Sequence, residues 1–191
     1  EECLRWYDLW LKGVDTGMME EPPIKLNILG SGYRYEHEWP LSRTVWKKLY
    51  LRSFGRLRWE PDAEADVVPD AFVHNPPSIS SDVQSLVYTS EPLNRPMEFT
   101  GPIALHLYAS IDAEDANFVV KVHEVYPSGE KHYMPCYGAL RASHPLIEPE
   151  SKPWFPVHDH SRKIPVRPGE VREYVIEINP SGRVFRPGNR I

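Results

Sequence analysis

Two cysteines in 191 residues are too few for a disulfide framework, and Cys3 and Cys136 stand in no CxxC pair. Both are therefore expected as buried or half-buried free thiols rather than bridge or zinc partners. No apolar run approaches the roughly 18 residues needed to span a bilayer, so no membrane contact is expected. No cluster of lysine or arginine stands out, and the net charge is −5. A nucleic-acid surface, which works by displacing counterions from phosphates, is not expected either. The compartment stays open, with the cytoplasm slightly favoured. The chain begins without methionine, and no G-x-S-x-G elbow occurs anywhere in it. That turn is what exposes a nucleophilic serine on an α/β scaffold, so a self-contained hydrolase triad is excluded from the reading.

What is present changes character near residue 20. Leu4 to Lys12 reads as one amphipathic helix, with Leu4, Tyr7 and Leu11 at i, i+3 and i+7, and with Trp6 and Trp10 an i, i+4 pair. Asp8 and Lys12 form a favourable charge pair, and Gly13 suits the left-handed position that closes a helix. Two indoles on so short a helix call for a large covering surface. From Ile24 onward the apolar period is two, through Ile24–Ile28, Ile103–Ile111, Phe118–Val122 and Tyr174–Ile178. Gly30-Ser31-Gly32, Pro127-Ser128-Gly129 and Pro180-Ser181-Gly182 read as turns, the last two as hairpin ends. Twenty prolines punctuate these strands. The expected fold is all-β, a jelly-roll sandwich preceded by one helix, with Leu105, Leu107, Val120, Val122 and Ile176 in its core.

Other chemistry is weaker. His158-Asp159-His160 could offer two imidazoles to a metal, but the flanking prolines suggest an exposed loop and no further ligand motif is near. Asp112, Glu114 and Asp115 lack the calcium-loop spacing, and Asp112 and Asp115 are expected to hold a turn through backbone N–H groups. Trp39, Trp46, Tyr50, Trp59 and Trp154 raise carbohydrate stacking, set against ordinary aromatic packing. No metal and no cofactor are expected.

Three segments carry a family resemblance. LRWYDLWLKGVDTGMMEEPPIKLNILG with EWPLSRT, the long block LVYTSEPLNRPMEFTGPIALHLYASIDAEDANFVVKVHEVYPSGEKHYMPCYGALRASH, and PVRPGEVREYVIEINPSGRVFRPGNRI resemble the CocE/NonD serine hydrolases. That group holds Xaa-Pro dipeptidyl-peptidases and acyl esterases. The resemblance implies that residues 1–20 are the last helix and exit of an α/β-hydrolase domain. It implies that residues 21–191 are a C-terminal, non-catalytic jelly-roll domain, incomplete at its C-terminus. The catalytic serine, aspartate and histidine would lie upstream, with no catalytic residue here, and a small ester or peptide substrate would be bound through that upstream domain. Trp6 and Trp10 would face it. The stretch entered by Phe72-Val73-His74-Asn75-Pro76-Pro77, with Ser78, Ile79 and Ser80, would border its pocket; Asp82 follows soon, so this loop is short. The family's closing pattern F-x-x-G-H-R-I carries Asn189 in place of its histidine. A homo-oligomer stays open, and the rival reading is a jelly-roll module that binds carbohydrate or protein.

Overall fold

The structure, a computed structural model, describes residues 1–61, 68–75, 78, 79 and 84–191. It opens with α1, Glu2–Lys12, closed by Gly13 at φ 67°. Gly13 N–H bonds the Leu9 carbonyl at 3.1 Å and Val14 N–H the Asp8 carbonyl at 3.0 Å, a glycine-dependent cap that satisfies the last carbonyls. The Lys12–Asp8 pair closes at 2.6 Å, as the spacing predicts. A 3-10 turn, Met18–Glu20, leads to the first hairpin, β1 (Ile24–Ile28) and β2 (Gly32–Glu36), joined through Gly30 and Gly32, both at positive φ.

Three short strands follow: β3 (Tyr50–Arg52), β4 (Arg56–Arg58) and β5 (Thr89–Ser90), β4 pairing antiparallel with β3 and parallel with β5. Four long strands build the body. β6 (Met97–Ala109) pairs antiparallel with β9 (Arg172–Phe185), and β7 (Asn117–Val125) pairs antiparallel with β8 (Lys131–Arg141). The two pairs stack as layers. Cys136, Leu140, Tyr174, Ile176, Ile178 and Phe185 are buried between them, and Leu105 and Val120 join both halves of this core. Of the five expected core residues Ile176 is fully buried. Leu105, Leu107, Val120 and Val122 are half-buried and pack on the same clusters. The all-β sandwich with one leading helix is thus the architecture found, with its sheets open.

Two sequence expectations fail instructively. Pro127-Ser128-Gly129 does turn β7 into β8, with Gly129 N–H on the Tyr126 carbonyl at 2.8 Å. Pro180-Ser181-Gly182 is no hairpin end: β9 runs through it, still paired with β6. Between Gly101 and Ile103 on β6 the partner advances from Ser181 to Ile178, so β9 carries one extra residue. A one-residue bulge flips every later side chain to the opposite face. Tyr174, Ile176 and Ile178 are buried before it, Ser181, Arg183 and Phe185 after it. Proline tolerates this site because a bulge leaves one backbone N–H outside the ladder. The second correction is Cys3, which is exposed on α1, whereas Cys136 is buried and its thiol is pushed up to about 11 by burial.

Candidate functional site

The helix α1 buries none of its residues. Trp6 and Trp10 are 51% and 57% exposed, their rings tilted together at 5.6 Å, and Leu4, Tyr7 and Leu11 are exposed beside them. Ion pairs and hydrogen bonds tie the helix to the chain that follows it. Arg5 donates to Glu21 at 2.6 Å and to the Thr16 carbonyl at 3.2 Å, and Lys25 of β1 donates to Glu2. The Lys25 ammonium also lies over the Tyr33 and Tyr35 rings. Charge and hydrogen bonding thus set the direction of α1 while its apolar face stays bare.

Of the other expected site residues, Ser78 and Ile79 occupy an exposed turn, and Ser80 lies outside the described residues, as does Asp82. Phe72 and Val73, leading into that turn, are exposed as well.

An open groove of about 440 Å³, which the sequence did not announce, runs between β8 and β9. Tyr137, Arg141, Glu177 and Asn179 line it with His144, His158 and His160. The ring centroids of His144 and His160 are 6.0 Å apart, and those of His158 and His160 5.9 Å. The expectation of a solvated His158-Asp159-His160 loop is half wrong. His160 is exposed, but His158 is half-buried with both ring nitrogens shielded from solvent. Burial holds its imidazole below the usual range, and the neighbouring His160 adds to this. Among the described residues no three histidine, cysteine or acidic side chains are placed to hold a metal ion.

One wall of the groove has the ingredients of a triad in an order that cannot work as one. Ser143 Oγ donates to Asp115 at 2.8 Å and lies 3.2 Å from His144 Nδ1. A hydrolase needs the imidazole between carboxylate and hydroxyl, so that it can take the proton from the nucleophile. Here the hydroxyl lies between them, on a buried serine. The arrangement serves the fold. Asp115 also accepts from Arg141 Nε at 2.6 Å and from the N–H groups of Ala116 and Ser143, as the turn-holding reading predicts. Among the described residues no such bond is seen for Asp112 in the same loop. Burial works against ionisation of Asp115, but these donors outweigh it and draw its carboxyl down to about 2.

That depression has a pH signature. A carboxyl whose folded value lies below its unfolded one, about 3.9, adds stability above that unfolded value. The contribution is lost as pH falls through the folded value. Asp115→Asn is expected to lower unfolding free energy by about 2 kcal/mol at pH 7. The gap from wild type should close as pH approaches 2. Urea unfolding of both proteins across that range checks this, and a gap independent of pH would remove the charge from the account.

On the far side, the strap between β8 and β9 is pinned to the outer face of β6. His106 Nε2 lies 2.8 Å from the Pro153 carbonyl and Nδ1 3.1 Å from Glu173. Next to Pro153, Trp154 stacks on Trp46 at 4.2 Å. These two indoles therefore pack on each other, as the packing reading of the aromatics has it.

A buried polar knot closes the sandwich near Phe185. Glu124, 1% exposed, accepts from Arg183 Nε at 2.6 Å and from Asn189 Nδ2 at 2.6 Å. Burial alone would raise the Glu124 carboxyl; the Asn189 amide and the Arg183 guanidinium overcome it and hold it below the usual range. Asn189, the departure from the family's closing pattern, is thus a buried hydrogen-bond donor. The signal for the knot was in the alternation itself, since Phe118, Val120 and Val122 put Glu124 on the inward face.

Residues 16–191 match the X-Pro dipeptidyl-peptidase C-terminal non-catalytic domain. A protein of Mycobacterium bovis named as a serine esterase is 28% identical over 220 residues, covering 100% of this chain and 34% of its own length. The cocaine esterase of a Rhodococcus species is 25% identical, over 97% of this chain and 36% of its own length. The crystal structure of a CocE/NonD family hydrolase from Staphylococcus aureus superposes with a TM-score of 0.73 at 18% identity, over 98% of this chain and 36% of that one. The chain therefore spans about a third of the length of each of these relatives.

Proposed function

The chain belongs to the family of C-terminal non-catalytic domains of CocE/NonD-type hydrolases, and from that premise we propose that it is the accessory sandwich of a serine hydrolase acting on esters or peptides. In this reading residues 1–20 complete an upstream α/β-hydrolase domain and residues 21–191 pack against it. The segment from Phe72 through Ser78, Ile79 and Ser80 borders the substrate pocket. The upstream serine attacks the ester or amide carbonyl and forms an acyl-enzyme; this chain supplies wall and rigidity.

The bare face of α1 carries the proposal. Trp6, Trp10, Leu4 and Leu11 expose a contiguous apolar stripe on a helix that ion pairs from Glu21 and Lys25 tie to the rest of the chain. Contiguous exposed apolar surface of this kind marks a contact with another domain. Two measurements test it. The chain alone should show no turnover of p-nitrophenyl acetate that a fluorophosphonate blocks by covalent labelling, whereas the full-length protein should be labelled upstream of Glu1. Deleting residues 1–13 should leave the melting temperature of the sandwich about unchanged, because no residue of α1 is buried in it. Labelling of the chain itself would refute the non-catalytic assignment, and a large drop on deletion would place α1 in the sandwich.

A further inference from the structure

Phe54 is the one non-glycine residue at positive φ among the described residues, at 64°. For an L-residue this region costs roughly 1–2 kcal/mol, and asparagine or glycine normally occupies it. The side chain packs on little in return, being 81% exposed. Nor is the strain the residue of a loose loop, because the tip of the β3–β4 hairpin is fastened on both sides. Phe54 N–H donates to Asp70 Oδ1 at 3.1 Å and Ser53 Oγ to the Val68 carbonyl at 2.7 Å. Thr89 N–H donates to the Gly55 carbonyl at 2.8 Å. Gly55 itself, at φ 70°, leaves no room for a Cβ, which would lie 2.7 Å from the Val87 carbonyl oxygen. The two valines whose carbonyls clasp the tip, Val68 and Val87, are themselves exposed. The chain thus presents an exposed aromatic ring at a fastened hairpin tip, in a backbone conformation that phenylalanine seldom adopts.

We propose that Phe54 is a preorganised docking anchor for the upstream catalytic domain, a second contact point beside the stripe on α1. This rests on the reading of the chain as an accessory domain. The occupant is chosen on two grounds. The relatives carry about two-thirds of their length outside the matched part, which supplies a large covalent neighbour. A fastened tip suits a permanent contact, since fixing the anchor before docking removes the ordering cost of binding. Strain confined to one exposed, well-held residue is what remains when such a contact is out of view.

The test exploits opposite signs. Phe54→Asn and Phe54→Gly relieve the backbone and remove only an exposed ring. In the chain alone they should leave the melting temperature unchanged or raise it. In the full-length protein the same substitutions should lower the melting temperature of the sandwich by roughly 3 °C or more, the shift that follows from about 1 kcal/mol of lost contact. A fall in the chain alone would show that Phe54 supports the sandwich itself, and overturns the proposal. So does an unchanged melting temperature in the full-length protein. So does conversion of a dimer to monomer on substitution, read by sedimentation, because the anchor would then serve a second copy. Trp10→Ala separates the two levels: if it loosens the full-length protein while Phe54→Asn does not, the anchor alone is wrong. If neither does, the docking of the two domains falls with it.

Discussion

Replacing Glu124 by leucine is expected to destabilise the chain by about 3–5 kcal/mol. The reason is what the substitution leaves behind. Arg183 is 7% exposed, and its guanidinium has Glu124 as its only ion-pair partner among the described residues. Without the carboxylate, a full positive charge and several N–H groups stay buried among Phe185 and its neighbours. Asn189, also buried, loses the acceptor of its amide at the same stroke. Glu124→Gln should cost less, because an amide oxygen still accepts from one of the two donors. Pairing Glu124→Leu with Arg183→Met removes both charges, and should recover most of the loss, since a buried ion pair is often no better than well-packed apolar groups. Urea unfolding of the two single variants and the double variant closes the cycle. A single substitution costing less than about 1 kcal/mol would mean that water reaches Arg183.

Glu124 also shows where sequence reading stops. The alternation of Phe118, Val120 and Val122 identified the inward face of β7 without any structure, and the next inward position is Glu124. A carboxylate there must be paired, but period two says nothing about the partner, which lies 59 residues away on β9. Worse, Arg183 sits on the wrong parity. Counted from Tyr174, Ile176 and Ile178 it should face solvent, and only the extra residue near Pro180 turns it inward. The proline was visible as a local signal and read as a turn; whether a Pro-Ser-Gly stretch ends a strand or bulges it depends on the opposite strand, where Gly101 and Pro102 interrupt β6 to match. The helix, by contrast, was legible down to its cap because its determinants are local: a 3.6-residue apolar stripe, an i, i+4 charge pair and a glycine. The same locality explains why α1 was recognised as uncovered. The helix exposes one broad apolar stripe, while Arg5 and Glu2 pair with Glu21 and Lys25 on the side toward the sandwich. Phe54 was silent in sequence, since nothing in Ser53-Phe54-Gly55 forces the phenylalanine, rather than the glycine alone, into the left-handed region. The histidine groove was silent for the reason that hid Arg183, namely that His144 and His160 come together only across the strap between β8 and β9.

The contact between the two layers yields the other large effect. At Gly138 on β8 a Cβ would lie 2.0 Å from the Glu177 carbonyl oxygen and 2.9 Å from the carbonyl carbon. It would lie 3.2 Å from the Ile178 Cα. All three obstacles are backbone, so no rotamer change relieves them. Neither strand can step aside cheaply. Gly138 is held in register with Val120 of β7, and Glu177 with Ala104 of β6. Moving either one separates Cys136 and Leu140 from Ile176 and Ile178, the buried centre of the sandwich. Gly138→Ala is therefore expected to lower unfolding free energy by about 3 kcal/mol or more, at the top of the range for overpacking, although alanine normally stiffens a strand relative to glycine. The midpoint of urea unfolding measures it. A loss below about 1 kcal/mol would show that the layers stand further apart than this contact requires. Because Gly138, Glu177 and Asn179 also line the histidine groove, the same substitution should widen that groove and relieve the burial of His158. Its imidazole, now held below its usual range by that burial, should then titrate at a higher pH in the variant, an NMR measurement independent of the stability change.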